Sequence, residues 1–286
     1  MAFRGERKKL DLGKYSLVVL ESFGKKFEVI VEPRTVLRFY KGEAKPEDAI
    51  VLMDVFFDAQ KGERASIGDL RKLVLRGAIE EQRERLGRTL TQEEVRELSE
   101  QVNKLDEDKL REFAAKYILK KGELKLPKDL RDELLEKKTR QIIAYLQKYA
   151  INPATKAPYP SQKIREAIES LFAGQRIGEK KIRILLDPLK DVNEELPAVI
   201  EALKAILPIR LEIIVAKIRI PPQYTGVAYG KVEKFGEIRE SNWLDDGSWE
   251  AIIQVPGGQF LQFHKELTDL THGNMKLEIL KREVIS

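Results

Sequence analysis

The chain has 286 residues, 35% of them charged and 42% hydrophobic, with a formal net charge of +5 and no cysteine. That length allows two or three domains, each with its own core, and the missing cysteines exclude a disulfide framework, thiolate catalysis and a Cys-based zinc site. No apolar signal-type segment follows Met1 and no apolar run approaches the ~20 residues of a membrane span, so a soluble, cytoplasmic protein is expected.

In chain order, the basic start Met1 to Lys9 is expected to be loose. "YSLVVLES" and "KKFEVIV" are strands flanking a Phe23-Gly24 turn, a hairpin signal. "KPEDAIV", with proline ahead of two acids, suits a short helix. "VFFDAQKGERA" is a strand running out into a Lys61-Gly62 turn, and Ser66 is the N-cap candidate for "SIGDLRKLVL". From Thr91 to Lys120, Val95, Leu98, Val102, Leu105, Leu110, Phe113, Ala114 and Tyr117 recur at helical spacing. The highly charged stretch 76–108 suits an inserted helical hairpin, so residues 1–122 form an α/β domain.

A second section, residues 123–207, holds three amphipathic helices and is expected to form a three-helix bundle. The first carries Leu130, Leu134, Leu135, Ile142, Leu146 and Tyr149 and stops at Asn152-Pro153, because proline cannot continue the ladder. Ser161 is expected to cap the second, with Ile164, Ile168, Leu171 and Phe172 inward and Gly174 at its C-terminal end. The third runs from about Asn193 to Leu207.

After Pro208 the period changes. "IRLEIIVAKIRI", a glycine-weakened helix "PPQYTGVAYGKVEKFG", two strands around Asp245-Asp246-Gly247, a helix "PGGQFLQFHKELTDLT" and a last strand give the order β-α-β-β-α-β. That is the ferredoxin-like split motif over residues 208–286. The whole is an α+β multidomain chain.

Signatures of chemistry are missing. There is no P-loop and no dinucleotide fingerprint, and the "GVAYG" and "PGG" glycines suit turns or packing. His264 and His272, without cysteine, make no metal set. Carboxylates mostly sit four residues from Lys or Arg, as solvated ion pairs do. No catalytic residue, metal or cofactor is expected. Lysines gather instead at turns. Residues 125–208 carry 16 Lys/Arg against 12 Asp/Glu, whereas 1–124 carry 26 against 24 and 209–286 carry 10 against 11. The excess fits a polyanion partner, and equally a solvated surface.

Four blocks carry a resemblance: "GKKFEV" (24–29), "DAQKGERASIGDL" (58–70), "ILKKGELKLP" (118–127) and "YAINPATKAPYP" (149–160). They resemble the signature blocks of the SBDS family, the Shwachman–Bodian–Diamond syndrome protein family of archaea and eukaryotes. The charged stretch 76–108 departs from it. The resemblance implies a FYSH-type N-terminal domain, a three-helix bundle and a ferredoxin-like domain. It also implies a non-enzymatic, archaeal-type ribosome maturation factor that binds large-subunit rRNA. With an elongation-factor-2-like GTPase, such a factor promotes release of translation initiation factor 6. An RNA-binding adaptor of the RNA exosome is the alternative, and an RNA-processing enzyme a third reading. No membrane partner and a monomeric state are expected.

By that resemblance, Lys25, Lys26, Lys61, Lys121, Lys148, Lys156 and Arg165 are the expected nucleic-acid contacts. Gly24, Gly62 and Gly122 are expected at positive φ in the turns beside them. At the corner, Pro153, Pro158 and Pro160 fix φ, Asn152 closes the helix end with its side chain, and Tyr159 packs on the bundle. Lys156 then projects from the tip toward rRNA phosphate; the competing role for the block is to lock the helix–helix angle. Trp243 and Trp249 are core anchors or a protein-contact patch.

Overall fold

The computed structural model describes residues 12–177 and 180–285. Met1 to Lys9 and the Lys180 side chain lie outside the described residues. The chain divides into two compact units, Met1–Arg131 and Asp132–Ser286.

The first unit opens with the expected hairpin, β1 (Ser16–Ser22) and β2 (Lys25–Val31). Phe23 and Gly24, at φ 53° and 69°, form its two-residue turn. There follow α1 (Pro33–Tyr40), α2 (Pro46–Ala49), β3 (Phe56–Asp58), β4 (Glu63–Arg64) and α3 (Ile67–Leu86). The unit then adds α4 (Gln92–Asn103), α5 (Glu107–Lys121) and β5 (Glu123–Lys125). The strands form one antiparallel sheet in the order β4-β3-β2-β1-β5.

Three elements here were not expected: α1, the two-residue β4 after the Lys61-Gly62 turn, and β5. Helix α1 starts because the Glu32 carboxylate accepts the Arg34 and Thr35 N–H groups, at 3.2 and 2.6 Å, with Pro33 in the first turn. Strand β5 exists only through its pairing with β1. The helical pattern from Thr91 to Lys120 is two helices, because Asp106 accepts from the Lys109 N–H at 2.8 Å and restarts the ladder. The charged stretch is a helical hairpin, as expected: Gly87 ends α3 at φ 64°, and Thr91 and Glu94 form a capping box on α4.

Val18, Phe27, Val29 and Val31 pack with Leu70, Leu73, Leu110, Ala114 and Ile118 in the main core. A smaller cluster gathers Ile30, Phe56 and Ala59. The buried Asp54 ties the layers together, pairing with Arg111 of α5 and with Arg64 of β4 at 2.8 Å.

Helix α6 (Lys128–Tyr149) carries the division between the units. The second unit continues through β6 (Ala150–Ile151), α7 (Ser161–Ala173), β7 (Gln175–Ile177), β8 (Lys180–Ile182) and α8 (Val192–Lys204). Ile142, Leu146, Ile164, Ile168, Leu171, Leu196, Val199 and Leu203 fill the bundle. The β7–β8 hairpin between the second and third helices was not expected. Nor does Ser161 cap α7: the N-cap position is Pro160, and no side chain caps it. Inside the bundle, Lys138 donates to Glu195 at 2.5 Å and to the Asp187 carbonyl, and Glu195 also accepts the Asp187 N–H at 2.8 Å.

The C-terminal part is β9 (Arg210–Ile220), α9 (Thr225–Phe235), β10 (Glu237–Trp243), β11 (Trp249–Pro256), α10 (Gly257–Leu270) and β12 (Lys276–Val284). Its antiparallel sheet has the order β10-β11-β9-β12, the ferredoxin-like arrangement. The alternation in β9 buries Ile214, Ala216, Ile218 and Ile220, and α9 forms despite its glycines by burying Ala228, Val232 and Phe235. The two tryptophans divide: Trp249 is fully buried and Trp243 is 60% exposed.

Bundle and ferredoxin-like part are joined tightly. Strand β6 pairs with the first two residues of β9, Ala150 with Leu211 and Ile151 with Arg210. The start of α10 then presses on the end of α6. A Cβ on Gly258 would stand 2.1 Å from the Gln147 carbonyl oxygen, and one on Gly257 would stand 2.6 Å from Glu212 Cγ. The "PGG" glycines are packing glycines.

Candidate nucleic-acid interface

The corner at 149–160 is built by backbone closure. Once α6 ends, the Asn152 N–H donates to the Ala157 carbonyl at 2.9 Å, and the Lys156 N–H donates to the Asn152 carbonyl at 2.8 Å. The Asn152 side chain does not close the helix as expected. Its Oδ1 instead accepts the Ala154 and Thr155 N–H groups, at 2.9 and 3.3 Å, making an Asx turn that holds the loop. Pro158 bridges to Ile151, and Pro153 lies within the loop. Tyr159 is buried in the bundle and its hydroxyl donates to the Pro208 carbonyl at 2.5 Å. That anchor is the expected one.

This framework holds Lys156 at φ 60°, a left-handed conformation that a lysine rarely adopts. Lys156 is exposed and, among the described residues, has no side-chain partner. The stretch 137–165 contains seven Lys or Arg and no Asp or Glu. Lys148 and Lys163 are exposed too, and lie 5.5 Å from the ring centres of Tyr149 and Tyr159. Neither meets a carboxylate among the described residues. Arg165 has only a loose pair, 3.7 Å from Glu169. Lys163 was not among the expected contacts; the acid-free run around it was the available signal.

The lysines of the first unit are placed differently. Lys25 meets Asp69 at 2.8 Å, Lys26 meets the buried Glu28, Lys61 meets Asp58 at 2.7 Å, and Lys121 meets Glu84 at 3.0 Å. Hydrogen bonds to these carboxylates raise the pKa of Lys26, Lys61 and Lys121, and hydrogen bonds to their lysines hold Asp58 and Glu84 below the usual carboxylate range. A phosphate would have to displace a carboxylate at each. The four cations occupy three places: the hairpin beside β1, the β3–β4 turn and the end of α5.

The glycines also divide. Gly24 and Gly62 both have φ 69°, as expected for turns. Gly122 does not: its φ is −84° and it caps α5. A Cβ there would meet the Ile118 carbonyl oxygen and Val18 Cγ1 at 2.7 Å, so the "KG" pair at 121–122 allows β5 to approach β1 and is not a hairpin turn.

Among the described residues no group of three or more His, Asp or Glu is arranged to hold a metal ion, and no helix is long and apolar enough to cross a membrane. The geometry offers the exposed ammonium groups of Lys148, Lys156 and Lys163, which meet no carboxylate among the described residues, with the Lys156 backbone held by the loop. Such groups suit phosphate.

Comparison with known proteins agrees with this organisation. Three family models match: the SBDS N-terminal domain at residues 14–81, SBDS protein domain II at 140–212, and the SBDS protein C-terminal domain at 214–282. Helices α4 and α5 fall outside these matches. The chain is 30% identical over 264 residues to the ribosome maturation protein SDO1 homolog of Methanothermobacter thermautotrophicus, covering 92% of this chain and 95% of that protein. It is 27% identical to the protein of the same name from Aeropyrum pernix, covering 93% and 97%. A ribosome maturation protein SBDS from Caenorhabditis elegans is 21% identical, covering 94% and 90%. With all three domains matched in order across a shared fold, the chain belongs to the SBDS family.

Proposed function

We propose that the protein is a non-enzymatic ribosome maturation factor that binds rRNA of the large subunit through the corner at 149–160 and the helices flanking it. The observation that carries this reading is the acid-free run 137–165, in which Lys148, Lys156 and Lys163 have no carboxylate partner among the described residues, around a loop fixed by hydrogen bonds. A cation held on a fixed loop loses little freedom when it meets a phosphate. The names of the relatives supply the ribosomal context. In the fuller form of the reading, an elongation-factor-2-like GTPase provides turnover, and translation initiation factor 6 is the factor released. Domains that adopt different arrangements on the subunit would exclude it in one of them.

The test is crosslinking and co-sedimentation with purified large subunits at two salt concentrations, comparing the wild type with Lys156→Glu and Lys163→Glu. Each variant should weaken binding and lower the salt slope by about one for each phosphate that is no longer neutralised. Unchanged affinity and slope would reduce the corner to an architectural joint. A stable exosome complex without subunit association would replace ribosome maturation by RNA delivery.

A further inference from the structure

The hairpin tip of the first unit raises a question that the basic corner does not answer. Phe23 takes the first position of the β1–β2 turn at φ 53°. Two-residue turns with both residues at positive φ favour asparagine, aspartate or glycine there, and a bulky side chain in that region is an outlier. Burial gives no compensation, since Phe23 is 53% exposed and belongs to no buried cluster. Strained backbone carrying an exposed aromatic is the pattern of a functional position.

What surrounds the ring is polar and charged. The Arg76 guanidinium lies 5.8 Å from the ring centre. It is held there by Glu80, 2.9 Å from Nε, and by Ser22 Oγ, 3.1 Å from Nη1. Beside the ring opens a cavity of about 450 Å³ whose lining includes Glu21, Lys25, Lys26 and Arg76, the three cations being paired with Asp69, Glu28 and Glu80. The first unit therefore presents an aromatic ring backed by a fixed cation beside a cleft rimmed by ion-paired side chains. A base stacks on an aromatic face whatever its identity, and a nearby guanidinium adds cation–π attraction and a phosphate donor.

We propose that Phe23, backed by Arg76, is a stacking platform for an unpaired base of single-stranded RNA. The proposal rests on the RNA-binding reading above, but on a different unit of the chain and a different interaction. Each of the three cations at the cleft already meets a carboxylate, so it is the charged and polar rim of the ring, and not a net positive charge, that favours a base over an apolar protein segment.

The experiment uses the full chain with Phe23→Asn and Phe23→Trp. The probe is a single-stranded RNA oligonucleotide containing 2-aminopurine, read by fluorescence and anisotropy across a salt series. Asparagine suits the turn, so the denaturation midpoint of Phe23→Asn should equal or exceed that of the wild type. Its Kd should nevertheless rise about 5- to 150-fold, the range expected when one base–aromatic stack is removed. The salt slope should stay unchanged, because stacking releases no counterions, whereas Lys156→Glu lowers it. Phe23→Trp should keep or tighten binding. If Phe23→Asn leaves Kd within twofold while the wild type binds RNA with salt dependence, the platform is refuted and the RNA-binding reading stands. A wild type that binds no RNA overturns both. Unchanged RNA affinity with loss of a crosslink to a large-subunit protein overturns the platform and assigns Phe23 to protein.

Discussion

Replacing Gly258 with alanine tests the joint between bundle and ferredoxin-like part. The added Cβ would stand 2.1 Å from the Gln147 carbonyl oxygen and 2.9 Å from that of Lys148. Ordinary contact begins near 3.4 Å, so the first distance falls short by about 1.3 Å. Both obstacles are backbone atoms in the last turn of α6, and no side-chain rotation relieves the clash. Either α10 recedes or α6 moves, and each disturbs the β6–β9 pairing and the packing of Gly257 on Glu212. Overpacking of this kind costs about 1–3 kcal/mol, and more where only backbone can yield. Both tryptophans, Trp243 and Trp249, belong to the second unit, so denaturant unfolding followed by tryptophan fluorescence reports on it. The variant should lose about 2–3 kcal/mol. The control is Gly230→Ala in α9, where nothing lies within 4 Å; it should gain about 0.5–1 kcal/mol from helix propensity. A Gly258→Ala chain as stable as the wild type would refute the tight joint.

Other predictions follow from buried and perturbed groups. Glu195→Gln leaves the buried Lys138 ammonium without its charge partner. It should cost about 3–5 kcal/mol in the same unfolding assay, whereas Lys138→Met with Glu195→Leu should come close to the wild type. Burial, then the hydrogen bond to Glu80, pushes the Tyr117 hydroxyl up to about 12. Because this folded-state value lies above the unfolded one, its stabilising contribution is complete below pH 10 and is lost as pH rises toward 12. Tyr117→Phe should therefore lose less stability than the wild type over that interval, and equal losses would contradict the assignment. The Arg88 hydrogen bond and the capping N–H of Thr91 lower Glu94 to about 2. Its contribution to α4 is thus present above pH 4.5 and lost as pH falls toward 2, and Glu94→Gln should flatten that acid limb in far-ultraviolet circular dichroism.

The sequence by itself determined whatever depends on local period and local stops. Alternation in "IRLEIIVAKIRI" specifies a half-buried strand, and the apolar stripe of α6 followed by Asn152-Pro153 specifies a helix and its end. The order of those elements is enough to reach the ferredoxin-like part and the bundle. The "NPATKAPY" block was legible as a rigid corner because proline and asparagine restrict their own backbone whatever surrounds them. Tertiary structure decided which lysines are neutralised by carboxylates far along the chain. Lys121 and Lys156 look alike in sequence, yet Glu84, far back along the chain, neutralises one, while among the described residues no carboxylate meets the other. It also decided that Gly122 and Gly258 serve close packing, that β5 is a strand, and that one tryptophan is core and the other exposed. The physical reason is range: dihedral preference and hydrophobic period act within a few residues. Counter-charge, steric clearance and strand pairing depend on atoms that the chain brings together from far along its length.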